Sequence, residues 1–207
     1  YFSDSLIWPR GLPLDLIHEP PPAPDESTTI FCPVQQGLAD ENPDVDAIYR
    51  LILPLPQNFM QREPVAMTKG SWCPFNSQNT TWFKPAFELM YLPSYCTFRM
   101  TDIWRSMITQ RIAWENEWGI LFHNATVVQD RNEHNLMQDL KDEVPGYLNN
   151  TRIGESLMSL DIQPGIENIG SNMLTCYEQL VTDGHVGKEE IPLLQAWQTD
   201  LHSIQDV

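Results

Sequence analysis

The sequence predicts an α/β domain, with a mixed sheet flanked by helices and a helical C-terminal appendage. Three observations predict it. Short apolar runs recur at 30–34, 65–67, 120–122 and 127–128, separated by turn residues. Tyr95 to Met100 alternates and is rich in Thr and aromatic residues, and a helical pattern follows it directly. Residues 146–207 carry two further helical patterns. At 207 residues the chain can bury one substantial core.

The opening 30 residues hold Pro9, Pro13, Pro20, Pro21, Pro22 and Pro24, which fix φ and remove backbone donors, so a regular helix or interior strand is excluded there. A long ordered loop is expected, then a looser Pro/acidic tip. Within that loop Leu6-Ile7-Trp8-Pro9-Arg10-Gly11-Leu12-Pro13 is too apolar for a linker and is expected to pack over a core or a site rim. Val45 to Leu53 reads as a strand or a short buried helix. Pro85 to Leu92 reads as a short helix with proline at its first position. Tyr95 to Met100 is expected to be a strand, with Thr101 or Asp102 capping a helix that runs to about Trp118. Along it Ile103, Met107, Trp114 and Trp118 form one apolar stripe. A helix over 135–143 is expected to stop before Pro145, and helices at 171–183 and 189–204 bury Leu174, Leu180, Leu193, Leu194, Trp197 and Leu201. The expected division is 1–145 for the α/β part and 146–207 for the appendage.

The formal charge is −16, from 28 acidic and 12 basic side chains, which argues against nucleic acid or an anionic membrane as partner. Lys84, Arg99, Arg105 and Arg111 nevertheless fall in one acid-poor stretch, a candidate cation cluster for a small anion. The four cysteines show no zinc spacing. Sequons at Asn79, Asn124 and Asn149, with an even cysteine count, tilt towards an oxidising, luminal setting. No apolar run approaches the roughly 20 residues that span a bilayer. The chain opens at Tyr1 without a signal pattern, so its true N-terminus is expected to be missing, and any signal or membrane anchor would lie in the absent part.

Three polar groups are candidates for chemistry. Asn76, Gln78 and Asn79 lie in the uncharged run 74–80 between Trp72 and Trp82-Phe83, and amides beside indole rings suit sugars, whose hydroxyls need paired donors and acceptors. The alternative is a surface turn. Arg99, Asp102, Trp104 and Arg105 form the second group. A carboxylate at a helix start behind a strand suits a general base, with Arg99 or Arg105 neutralising a departing phosphate. Its bland counterpart is an N-cap with Arg105 paired to it one turn on. Asp44 and Asp46 form a D-x-D triplet, which can share a divalent cation with a diphosphate or mark an ordinary turn. The five histidines form no catalytic motif.

Together Ile7-Trp8-Pro9-Arg10-Gly11-Leu12-Pro13-Leu14, Gln35-Gln36-Gly37 with the stretch Asn42 to Arg50, Pro74 to Thr80, and Thr97 to Arg105 with Gln110-Arg111 resemble the STELLO-like glycosyltransferase family. The resemblance covers 1 to about 145. It implies part of a GT-A type fold, the C-terminal part of the domain only, with Golgi residence on the luminal side behind an N-terminal anchor. It also implies transfer of a sugar from a nucleotide-sugar donor to a carbohydrate acceptor. A divalent metal, Mn or Mg, is expected for the full-length family, but its Asp-rich motif lies upstream of the Trp-Pro-Arg-Gly block and is absent from this chain. Asp102 then resembles the base of inverting GT-A enzymes, and Asn76, Gln78, Asn79, Arg99, Trp104, Arg105, Asp44 and Asp46 become candidate substrate-binding residues. The 207 residues alone are expected to be inactive. The rival readings are an inactive transferase-fold assembly factor and a carbohydrate-binding module.

Overall fold

The computed structural model describes residues 1–20, 22–25 and 29–205. Pro21 and residues 26–28, which belong to the expected Pro/acidic tip, lie outside the described residues. The chain runs through β1 (Phe31–Asp40), α1 (Ala47–Ile52), β2 (Val65–Met67), β3 (Thr80–Trp82), α2 (Thr101–Glu115), β4 (Trp118–Val128), α3 (Leu136–Met158), α4 (Ile169–Thr182) and α5 (Glu190–Gln205), with short 3-10 turns between. The sheet is mixed, in the order β2-β4-β1-β3. β1 lies parallel to β4, with Gln36 opposite Phe122, and antiparallel to β3, with Gln36 opposite Thr80. The β1–β4 register shifts between Phe31 and Val34, a span containing Pro33, whose missing N–H cannot extend the ladder.

α2 is the spine of the domain. Every residue from Ile103 to Trp114 is buried, because the sheet covers one side of this helix and α3 and α4 cover the other. The expected single stripe is therefore corrected to a helix enclosed all round, and Trp118 belongs to β4. Fully burying Ile103, Ile108 and Ile112 contributes about 1.5–3 kcal/mol each. One apolar cluster extends from Val34 and Phe75 through α2 to Ile169, Met173, Cys176, Leu180 and Leu194, so the C-terminal helices share the core of the sheet. Leu193, expected inside, is 42% exposed. A smaller cluster packs Trp8 of the opening loop on Val45 and Tyr49.

Several expected elements differ. Tyr95 to Met100 is not a strand. No neighbouring strand pairs with it, and its polar groups go elsewhere: Tyr95 N donates to Glu190, Thr97 Oγ1 donates to Asp142 O, and residues 98–100 form a 3-10 turn. Pro85 to Leu92 is a 3-10 helix over Lys84–Met90. The short runs at 120–122 and 127–128 are one strand, and the helix expected to stop at 143 continues through Pro145 and residue 146 to Met158. Of the two alternatives for 45–53, the short helix is correct, begun by Asp46, whose Oδ1 accepts Tyr49 N at 2.7 Å.

Candidate functional site

The site begins with a strap laid along α2. Cys73, Phe75 and Ser77 donate their backbone N–H groups to Gln110 Oε1 (2.9 Å), Ser106 Oγ (3.2 Å) and Asp102 Oδ2 (3.2 Å). The match is one of pitch. Four helical residues rise about 6 Å and two extended residues advance about 6.6 Å, so acceptors every fourth position meet donors every second one. Polar side chains at 102, 106 and 110 thus hold segment 73–77 against the helix.

At the Asp102 end the Asp44 loop and the turn at Arg99 also converge on Arg10, which is 5% exposed. Its Nη1 reaches Asp102 Oδ1 at 3.0 Å and its Nη2 reaches Asp102 Oδ2 at 2.9 Å. On the other edge Nε lies 3.1 Å from both Asp44 oxygens and Nη2 is 2.7 Å from Asp44 Oδ2. Arg10 Nη1 also donates to Arg99 O, and Arg10 N donates to Asp44 O at 3.1 Å. Burial alone would lower the guanidinium pKa, but Asp44 and then Asp102 outweigh it and raise it above its ordinary value. Burial likewise pushes the Asp44 carboxyl upward, and the charge and hydrogen bonds of Arg10 override this and hold it below the usual range. Gly11 lets the loop approach α2. Its φ is +92°, and a Cβ there would sit 2.5 Å from Ile103 Cγ2.

The predicted site residues divide by what they touch. Asn76 Oδ1 accepts Gln78 N at 2.9 Å, and Gln78 Nε2 donates to Asn42 O at 3.1 Å and Gln129 Oε1 at 3.4 Å. Asn79 Nδ2 donates to Leu38 O and to Thr126 Oγ1, both at 2.9 Å, so the amide of this sequon is bonded within the fold. Arg105 is 4% exposed, donates to Asn76 O and Ser77 Oγ, and stacks 4.9 Å from the Trp82 ring centre. Burial lowers its pKa to about 10, with Asp102 opposing. It pairs with the strap rather than with Asp102, which corrects the expected one-turn ion pair. Trp104 is 1% exposed and donates to Asn150 Oδ1, while Asn150 Nδ2 holds Gly11 O at 2.7 Å. Its ring is a core group that braces the Arg10 loop.

Neither expected setting for Asp102 is found. It follows a 3-10 turn instead of a strand, and the N-cap position is Met100, without a side-chain cap bond. The expected cation cluster also disperses. Arg99 Nε and Nη2 bind Glu143 Oε1 at 2.9 and 2.6 Å, Arg111 binds Leu157 O, Leu160 O and Glu115, and Lys84 is exposed.

The D-x-D triplet does not fit a divalent cation. Asp44 is turned onto Arg10, and the Asp46 oxygens accept Tyr49 N and the Trp8 indole N–H (2.6 Å), so the two carboxylates face different partners. Among the described residues no three His, Cys, Asp or Glu side chains form a metal-sized group. All four cysteines are free thiols. Among the described residues no helix is long and apolar enough to cross a membrane.

Arg10, and Glu143 as the partner of Arg99, are the residues that the sequence reading does not single out as site candidates. A lone arginine between proline and glycine in an apolar loop was the available signal, since such a cation is kept only if it is paired. For the strap the signal was the four-residue spacing of Asp102, Ser106 and Gln110.

A mixed sheet with one enclosed helix and a polar centre built from four separated blocks defines an α/β domain with a preassembled loop junction. Residues 99–206, just over half of the chain, match the family model described as STELLO glycosyltransferases, and the chain belongs to that family. The match reaches through the C-terminal helices, beyond the point near 145 where the motif resemblance ends. Two similar relatives come from Arabidopsis thaliana. "Probable glycosyltransferase STELLO2" is 32% identical over 156 residues, covering 69% of this chain and 20% of that protein. "Probable glycosyltransferase STELLO1" is 31% identical over 128 residues, covering 56% and 16%. The matched region thus spans a fifth or less of the length of these curated relatives.

Proposed function

We propose that this chain supplies the acceptor side of a sugar-transfer site in a larger GT-A type glycosyltransferase that uses a nucleotide-sugar donor in the Golgi lumen. The carrying observation is the convergence of Arg10, Asp44, Asp102 and the strap at Ser77 into one junction. Beside it Asn76 Nδ2 and Gln78 Oε1 have no protein partner among the described residues, and Ser77 is exposed. A donor, an acceptor and a hydroxyl on a braced loop match what sugar hydroxyls require. Family membership supports the transferase class, and the greater length of the relatives supports a larger protein.

In this reading Asp102 is a positioning residue. Its Oδ2 already has two protein donors and its Oδ1 has one, so each oxygen is committed to the junction before a substrate hydroxyl arrives. The test is to titrate the 207-residue protein with neutral oligosaccharides while following amide resonances. Shifts at Ser77 and Gln78, weakened in Asn76→Ala and Gln78→Ala, are expected; an unresponsive loop at saturating sugar would refute the reading. The same committed oxygens favour a second reading, an assembly factor that keeps the fold without turnover. That reading expects glycan binding with no release of nucleotide from any nucleotide-sugar, even by the larger protein.

A further inference from the structure

A cleft of about 260 Å³ opens beside Asn42, lined by Asn42, Arg50, Leu55, Arg131, Asn132 and His134 among others, with no carboxylate in its wall among the described residues. In a chain of charge −16 this is an unusual concentration of cationic groups. Arg131 Nη2 and His134 Nδ1 both lean on a single acid behind the wall, Asp139 Oδ2, at 3.1 and 3.2 Å. Arg50 has no carboxylate partner among the described residues. Its Nη2 donates to Pro43 O at 2.7 Å, and its Nε is buried without a partner.

Arg10 binds two carboxylates on the inner side of the network, Asp44 and Asp102. Arg99 and Glu143 balance each other. On the cleft side Arg50 and Arg131 line the wall, while the acids that act on them, Asp44 and Asp139, are not among the lining residues. The two guanidiniums also act on each other. Burial first and then Arg131 lower the Arg50 pKa to about 10, and burial and then Arg99 lower that of Arg131. Two guanidiniums lining one half-buried polar cleft suit an oxyanion that accepts from both. Asn42 ties this cleft to the junction, because its backbone carbonyl holds Gln78 Nε2 at 3.1 Å.

We infer that this cleft is an anion site for a phosphoryl group, held between Arg50 and Arg131 with His134 and the Asn42 and Asn132 amides at its rim. The inference goes beyond the sugar-transfer reading and does not depend on it, since phosphate binding and glycan binding are measured separately.

The test is calorimetric titration of the 207-residue protein at low ionic strength with inorganic pyrophosphate, and in parallel with adenosine, guanosine and uridine diphosphates. Loss of one charge-assisted contact in Arg50→Gln should weaken binding about tenfold to a hundredfold. Asn132 is exposed and has no hydrogen-bond partner among the described residues, so Asn132→Asp replaces a rim amide with a negative charge without breaking a contact of the fold, and it should weaken binding at least as much. Arg62→Gln, at a site bonded to Asp4 instead, should bind as the unaltered protein does. Tighter binding of a nucleoside diphosphate than of pyrophosphate identifies an esterified phosphate as ligand, and equal or weaker binding identifies the free anion. No binding of any of these probes, or unchanged binding in either folded cleft variant, would overturn the inference.

Discussion

Arg10 meets Asp102 edge to edge, Nη1 to Oδ1 at 3.0 Å and Nη2 to Oδ2 at 2.9 Å, across 92 residues of sequence. The same guanidinium holds Asp44, so one side chain is shared by two carboxylates that are only 10% and 14% exposed. Arg10→Met would strand both, and breaking a buried pair from one side costs about 3–5 kcal/mol. Urea unfolding should show that loss. Arg10→Lys keeps a charge but lacks the planar fork, so it should recover only part of it. A Met variant as stable as the parent would mean that the junction does not hold these loops.

Asp102→Asn separates anchoring from proton transfer. Anchoring predicts faster hydrogen exchange at the Ser77 amide and a stability loss of about 1–3 kcal/mol. Removal of a general base predicts instead a fall in turnover of about 10²–10⁴-fold. In the larger protein the expected result is the exchange effect with a smaller kinetic loss, and a full catalytic collapse at unchanged Ser77 exchange would restore the base.

Ser106→Ala tests the strap. Ser106 Oγ accepts Phe75 N at 3.2 Å and donates to Ile103 O at 2.6 Å inside the core. Leaving the buried Phe75 amide unpaired should cost about 1–3 kcal/mol. Chemical unfolding measures the cost, and amide exchange at Phe75 locates it.

Acid should weaken the junction through Asp44. Its folded pKa lies below the ordinary value, because Arg10 outweighs burial, so its stabilisation is complete above the unfolded value and is lost as pH falls through the folded one. Asp46 works in the opposite sense. Burial pushes its carboxyl up despite the Tyr49 and Trp8 donors. The stability difference between the parent and Asp44→Asn should therefore be flat above about pH 4 and shrink below it. A difference that stays constant down the acid limb would contradict the pairing.

His134, Arg131 and Arg50 show why part of the molecule was illegible in sequence. Each looks like an ordinary surface residue, and nothing in their spacing says that 50 and 131 share a cleft wall. The Tyr95–Met100 error has a similar origin. Alternation suits a strand only if a neighbour offers its edge, and here Glu190, 95 residues beyond Tyr95, takes that place.

By itself the sequence determined the α/β class, the positions of most helices, the exclusion of an α-helix or interior strand from the described part of the proline-rich opening, and the motif blocks that mark the family. These follow from local chemistry, namely backbone restriction, apolar periodicity and short-range patterns. Only the tertiary structure decided that Asp44 pairs with Arg10, that Trp104 braces the Arg10 loop through Asn150, and that α2 is enclosed on every side. A charged side chain takes its role from whichever opposite charge the fold brings within hydrogen-bond distance, and those partners lie 34 and 92 residues from Arg10.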